Sequence, residues 1–321
     1  MLESGPHPAT SPACPRAVVC GEALVDLVPA PGGGLRPIPG GGPFNTARAL
    51  ARLGMPTAYL GRLSTDGFGR LLARRLADDG VDFSRASWGE EPTTLAVAEL
   101  DHDGAASYRF YVEGTSAPHL TPEMLPPDIG TDVTALHLGT LGLLMEPVGS
   151  TLTALAARER GARLLMIDLN VRPSLVRDAA AYRVRLESLI AMGSLVKASD
   201  ADLAWLYPGD HPEAAATRIL AGGAQAAVIT LGAEGAFAVH PGGSVRVRAP
   251  RVEVVDTIGA GDAFGAALLA WLDERSLVAP QLALSDGELE AALEFAARVA
   301  AITCTRAGAE PPRRDEVMVA G

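Results

Sequence analysis

Val254-Val255-Asp256-Thr257-Ile258-Gly259-Ala260-Gly261-Asp262-Ala263-Phe264 is the stretch on which the reading of this chain turns. It opens apolar and β-branched, as the end of a strand does. It then turns through Gly259-Ala260-Gly261. From Asp262 to about Leu272 it is rich in Ala, Leu and Phe, which predicts a helix. A helix start leaves backbone N–H groups unpaired and carries partial positive charge. Glycines let an anion approach those groups closely. The turn is therefore a candidate phosphate cradle, with the Asp262 carboxylate in the first helical turn.

The same turn has a plainer explanation, since an acidic residue in a first turn complements the helix dipole whether or not anything binds. Two familiar nucleotide loops are excluded. No Gly-Lys-Ser/Thr follows, so this is not a Walker A loop. Gly265 comes one residue too late for a dinucleotide fingerprint, and the position is near the C-terminus.

The chain has 321 residues, enough for one large domain or two small ones. Hydrophobic residues make up 48% and aromatics 5%, so the apolar content is mostly Ala, Leu and Val, which suits helices. The net charge of −11 argues against a nucleic-acid surface. It leaves a nucleotide substrate open, because such a site needs only local donors. Cys14, Cys20 and Cys304 are too few and too far apart for a disulfide framework or a zinc site. They fit reduced thiols of a cytoplasmic protein. No apolar run reaches membrane-spanning length. Met1 to Pro15 is Pro- and Ser-rich without an apolar core, and is expected to be a disordered extension rather than a signal peptide.

From Ala17 the chain opens as a buried strand, interrupted at Gly21-Glu22. Asp26 lies in an alternating segment and reads equally as an outward-facing strand residue. Gly40-Gly41-Gly42-Pro43-Phe44-Asn45 leads into an Ala-rich helix that Gly54 ends. Asn45 there is either a cap or a polar site residue. Thr57–Leu63 predicts a strand and 70–79 a helix. Thr93–Leu100 and Ala106–Val112 predict a hairpin, with His102 exposed in its loop. One of each neighbouring pair among Tyr108, Arg109, Phe110 and Tyr111 faces any site beneath. Strands at 133–138, 163–169, 195–198 and 224–231 alternate with helices at 146–159, 179–192 and from 200. That pattern predicts a parallel sheet with right-handed crossovers, whose ligands bind beyond the C-terminal strand ends. Asp168, Asn170 and Arg172 stand at one such end, where Asp168 reads as well as a salt-bridge partner. Ser199 with acidic residues after it reads as a helix cap. Thr230-Leu231-Gly232 and Gly235 form a glycine turn of a common kind. An Ala-rich helix is expected over 296–303.

The run Asp256–Phe264 resembles the C-terminal signature of the ribokinase-like (pfkB-type) sugar kinases, and Gly41-Gly42-x-x-Asn45 resembles that family's N-terminal sugar motif. Gly-Glu-x-x-x-Asp at 21–26 and Asp-x-Asn-x-Arg at 168–172 look most like its fructokinase branch. The resemblance covers roughly residues 17 to 312. It implies an α/β fold: a three-layer α/β/α sandwich with a mostly parallel central sheet and a small β-sheet lid. A single kinase domain would span 16–314, with lid segments near 27–41 and 93–113 and a tail over 315–321. Such a lid excludes water from the reaction.

The resemblance also assigns roles. Asp262 would be the base, and Gly259, Ala260 and Gly261 the anion hole. Asp26, Gly41, Gly42, Asn45 and Arg172 would bind the sugar. Lys197, Ser199, Thr230, Gly232 and Gly235 would serve ATP, and Asp202 would organise magnesium through water. Ser199 and Asp202 stand where the family has Asn and Glu, which shortens or changes both side chains. Carbonyls around Asp256, Ile258 and Gly308 would hold a monovalent cation, potassium in particular. The implied activity is ATP-dependent phosphorylation of a sugar, fructose first, with 2-keto-3-deoxygluconate and ribose next. Arg109 or Arg172 would supply the extra cation a keto-acid needs. A homodimer in the cytoplasm is expected. A rival of another class is a sugar- or nucleotide-binding regulator without catalysis, and loss of the Asp262 carboxylate would have signalled it. A dinucleotide-dependent oxidoreductase is disfavoured by the glycine spacing.

Overall fold

Short apolar runs without alternation are buried on both faces, as strands of a parallel sheet covered by helices must be. The computed structural model describes residues 14–30, 32–100 and 106–319. In chain order come β1 (Ala17–Cys20), β2 (Leu24–Pro29), β3 (Leu35–Gly40), α1 (Gly42–Arg52), β4 (Thr57–Leu60), β5 (Arg62–Ser64), α2 (Gly67–Asp78), β6 (Ser87–Gly89), β7 (Leu95–Leu100) and β8 (Ala106–Tyr111). The second half holds β9 (Ala135–Gly139), α3 (Leu141–Leu144), α4 (Val148–Glu159), β10 (Leu164–Asp168), α5 (Ala179–Ile190), β11 (Leu195–Ser199), α6 (Asp200–Leu206) and α7 (Pro212–Ala221). It closes with β12 (Ala226–Thr230), β13 (Ala236–His240), β14 (Gly243–Val247), α8 (Ala260–Glu274), α9 (Asp286–Cys304) and α10 (Arg314–Val319).

The main sheet runs β14-β13-β12-β11-β10-β9-β1-β4. Its six strands from β12 to β4 are parallel, and the β13–β14 hairpin is antiparallel at one edge. Strand alternation builds two cores. Ala17 and Val19 join α1, α8 and α9 on one face, whereas Val18 and Cys20 join α4, α5 and α7 on the other. The result is the expected three-layer sandwich. A second, four-stranded sheet, β3-β2-β7-β8, draws its strands from the two segments expected to form a lid. No helix among the described residues is long and apolar enough to cross a membrane.

Three expectations are corrected or fall outside. The strand expected to end at Val254-Val255 does not form. The N–H groups of Val255 and Asp256 both bond the Cys304 carbonyl, at 2.8 and 3.2 Å, so the segment drapes over the end of α9 instead of pairing with a strand. Of the tail expected over 315–321, the described residues to Val319 lie in α10, and Val317 is fully buried. Most of the expected N-terminal extension (1–13) and the hairpin loop 101–105, with His102, lie outside the described residues.

Candidate active site

The glycine turn does what its sequence requires. Gly259 caps α8 at φ 76°, in the left-handed region where glycine carries no steric cost. A Cβ on Gly259 would meet the Ala309 Cβ at 2.5 Å, so the turn is also pressed against the C-terminal loop. Ala260 N–H turns back to the Thr257 carbonyl at 3.3 Å. The N–H groups of Gly261 and Asp262 open the helix and have no intrahelical partner. Asp262 follows one turn into α8 and is 7% exposed.

Asp262 is held from α1. The Asn45 amide, on α1, donates to Asp262 Oδ2 at 2.9 Å, while Asn45 Oδ1 is buried without a partner. Burial pushes the Asp262 carboxyl up to about 6; Asn45 opposes that, Asp168 adds to it, and Lys197 and Arg172 oppose it. Asp26 is likewise raised to about 6 by burial and by the Asp262 charge, against Arg172. The two carboxyls and Asn45 line a cavity of about 320 Å³ together with Gly41, Gly42, Arg172 and Gly259. Tyr108 and Phe110 line it from the small sheet, whereas Arg109 and Tyr111 are exposed. Strand alternation thus assigns the first pair to the site.

A second cavity, of about 570 Å³ and mostly apolar, lies on the other side of the turn. Thr230, Gly232 and Gly235 form one wall, and Val252, Val254 and Phe264 another. Thr257 and Gly261 line both cavities, so the anion turn is the partition between them. Val254 is 60% exposed for this reason: its β-branched surface faces an open cavity, not a sheet.

Beneath the turn, Lys197 Nζ donates to Asp168 Oδ2 at 2.8 Å, and both side chains are buried. Burial alone would depress the Lys197 ammonium, but Asp168, with Asp262 and Asp202, holds it above its ordinary value. A Cβ on Gly261 would stand 3.6 Å from Lys197 Nζ, which places this charge next to the partition. Asp168 therefore takes the salt-bridge role. Ser199 and Asp202 form a capping box on α6. Asp202 Oδ2 accepts from Ser199 N–H at 2.7 Å and from its hydroxyl at 2.8 Å, and Oδ1 accepts Val171 N–H at 2.7 Å. Both oxygens are engaged, and among the described residues no cluster of three His, Cys, Asp or Glu could hold a metal. The side chains do not fit a protein-built divalent site. At the loop expected to hold a monovalent cation, the Asp256 carboxylate joins the two segments. It accepts Ile258 N–H at 3.0 Å and Gly308 N–H at 2.8 Å.

Residues that sequence reasoning left without a role also build the site. Glu22 and Thr140 line the smaller cavity. Glu22 is 1% exposed and raised to about 7 by burial, against the Thr140 hydroxyl and backbone donors. An acidic residue directly after a buried strand was the available signal. Thr140 carries none, because its φ of 61° follows from its surroundings.

Two cavities parted by a glycine turn, with a carboxylate in the polar one, suit phosphoryl transfer to a small polar acceptor. The chain belongs to the pfkB family of carbohydrate kinases, whose family model matches residues 15–316. A fructokinase of Rhizobium leguminosarum bv. trifolii is 41% identical over 264 residues, covering 81% of this chain and 80% of that protein. A fructokinase of Xylella fastidiosa solved with bound ATP superposes with a TM-score of 0.88 at 27% identity, over 95% of this chain and 97% of that one. A double mutant of the Vibrio cholerae O395 fructokinase, solved with fructose, ADP and potassium, gives 0.83 at 26% identity, over 97% and 99%.

Proposed function

We propose that the protein is an ATP-dependent fructokinase. The observation that carries this is the partition: one turn borders both a polar cavity with Asp262 and an apolar cavity sized for a nucleotide. Fructose occupies the first and ATP the second. The sugar hydroxyl attacks the γ-phosphorus, the bond from that phosphorus to the β,γ-bridging oxygen breaks, and ADP leaves. The hydroxyl proton goes to the Asp262 carboxylate. Gly261 and Asp262 N–H groups face the charge that develops on the transferred phosphoryl group. Asp26 and the buried Asn45 Oδ1 are acceptors for sugar hydroxyls, and Lys197 adds positive charge beneath the turn.

Magnesium arrives with ATP, held by phosphate oxygens and water, as that ion prefers. A Vibrio relative binds potassium, and here that ion would sit at the loop Asp256 joins and stiffen the turn from below. Leu35 and Tyr111 are each 52% exposed on the small sheet, which supports a homodimer through it. Its use of ATP supports a cytoplasmic enzyme. Arg172 lines the polar cavity, so a keto-acid sugar such as 2-keto-3-deoxygluconate is the second reading.

The test is ATP-dependent ADP release on fructose, ribose, 2-keto-3-deoxygluconate and tagatose, each with and without potassium. Turnover on fructose at the highest kcat/KM is the expected result. Preference for the keto-acid would move the assignment to the second reading. Nucleotide binding without turnover on any sugar would favour a regulator.

A further inference from the structure

The strand order of the main sheet reverses at β1: β4 lies on one side and β9 on the other. The crevice beyond the C-terminal ends of β1 and β9 is where such a sheet offers its binding site. Three loops meet there: 21–23 after β1, the start of α1, and 140–142 after β9. Glu22 joins them all. Its Oε1 accepts Gly42 N–H at 3.1 Å and the Thr140 hydroxyl, and its Oε2 accepts Gly142 N–H at 2.8 Å.

The loops are packed with no room for side chains. A Cβ on Gly42 would meet Thr140 Cγ2 at 2.3 Å, and one on Gly41 would meet the Glu22 carbonyl at 2.8 Å. Thr140 itself is held at φ 61°, ψ −140°, a conformation that costs a β-branched residue energy and persists only where the surroundings impose it. Its hydroxyl bond to Glu22 is one such restraint.

We propose that Glu22 is a positioning residue for the sugar: its carboxylate clamps these three loops and thereby sets the floor of the sugar cavity. The inference rests on the sugar assignment of that cavity made above. Glu22 also acts on the base at one remove. Gly42 opens α1, and Asn45, three residues on, donates to Asp262. Movement of the helix start therefore shifts Asn45 against Asp262. The nucleotide cavity shares none of these loops, so the larger effect falls on the sugar side.

Glu22→Gln is the informative variant. It preserves size, but its NH2 must face the N–H of either Gly42 or Gly142, and one backbone donor loses its acceptor. Glu22→Asp keeps the charge and shortens the reach. In both, KM for fructose is expected to rise about 10- to 100-fold, with KM for ATP within about twofold of wild type. Thr140→Val, which removes only the hydroxyl, should show the same split at smaller size. Hydrogen exchange reads the clamp without any sugar: the Gly42 and Gly142 amides should be protected in wild type and exchange at least about tenfold faster in Glu22→Gln. Equal losses in both KM values, or a lower melting temperature with both unchanged, would reduce Glu22 to a structural role and overturn the proposal. Unprotected wild-type amides would overturn it too. If wild type turns over no fructose, it is the fructokinase reading that falls, and the exchange experiment still decides the clamp.

Discussion

As the proposed base, Asp262 must be ionised to accept a proton, and its burial sets the pH at which it can. With its carboxyl near 6, and Asp26 near 6 beside it, the two titrate as a coupled pair. Asp168, Lys197, Arg172 and Asn45 are the other groups that act on Asp262. The expected kcat/KM for fructose is flat above about pH 7 and falls about tenfold per unit below 6, reporting the free enzyme. A profile flat down to pH 4 would remove Asp262 from the role of base. Asp262→Asn should lower kcat by about 10²- to 10⁴-fold while fructose still binds, measured by calorimetry. The same burial has a consequence for stability. The folded carboxyl lies above its ordinary 3.8, so the native state binds more protons than the unfolded chain between 3.8 and about 6. Stability from this group therefore falls as pH rises through that window. Asp262→Asn, which removes the buried charge, should be more stable than wild type at pH 7, by about 1–3 kcal/mol in denaturant unfolding.

At the scale of elements, α8 begins where it does because glycine holds the left-handed cap and leaves space for Ala309. Gly259→Ala should displace the turn from the C-terminal loop and cut kcat at least about tenfold. α6 gives a contrasting case. Ser199 and Asp202 are bonded to each other as a cap, so Ser199→Ala should cost about 1 kcal/mol of stability and leave KM for ATP nearly unchanged. A large rise in KM for ATP without loss of stability would return Ser199 to the phosphates. These elements also show which features the sequence displayed. Helix α8, strands β9 to β12 and the glycine turn were legible because buried apolar runs and glycine punctuation are local signals. Of α9 only 296–303 was expected; its first half, opened by the Ser285–Glu288 capping box, was missed. The strand expected at Val254-Val255 failed for a nonlocal reason: β-branched residues suit a cavity wall as well as a sheet. At the site, Asp262 and Asn45 could be named but not their hydrogen bond, which joins positions 217 residues apart.

Across the whole molecule, one ion network, buried at Arg48 and Asp79, joins α1 to the loop behind the glycine turn. Arg48, on α1 one turn beyond Asn45, is 1% exposed. Its Nε donates to Asp79 Oδ2 at 2.6 Å, its Nη1 to the Ala309 carbonyl at 3.0 Å, and its Nη2 to Glu310 at 3.1 Å. Arg52 repeats the pattern, reaching Asp79 at 2.7 Å and the Pro311 carbonyl at 2.6 Å. Residues 309–311 are thus tied to α1, Ala309 touches the space over Gly259, and Gly308 is tied to Asp256. Helix α1, the C-terminal loop and the glycine turn form one connected unit. Breaking a buried pair from one side leaves the other charge uncompensated, which typically costs about 3–5 kcal/mol. Arg52, which bonds Asp79 at 2.7 Å, remains in Arg48→Met, so that variant should lose no more than this in urea unfolding. Arg48→Met with Asp79→Leu removes both charges and should recover part of it, giving a coupling energy of about 1–3 kcal/mol. The recovery is partial because Arg52 also loses its bond to Asp79. Additive losses, with coupling below about 0.5 kcal/mol, would mean that Arg48 contributes packing alone. In that case the C-terminal loop would owe its position to apolar contact with α1 and to Asp256, and the charge network would have no part in aligning the turn.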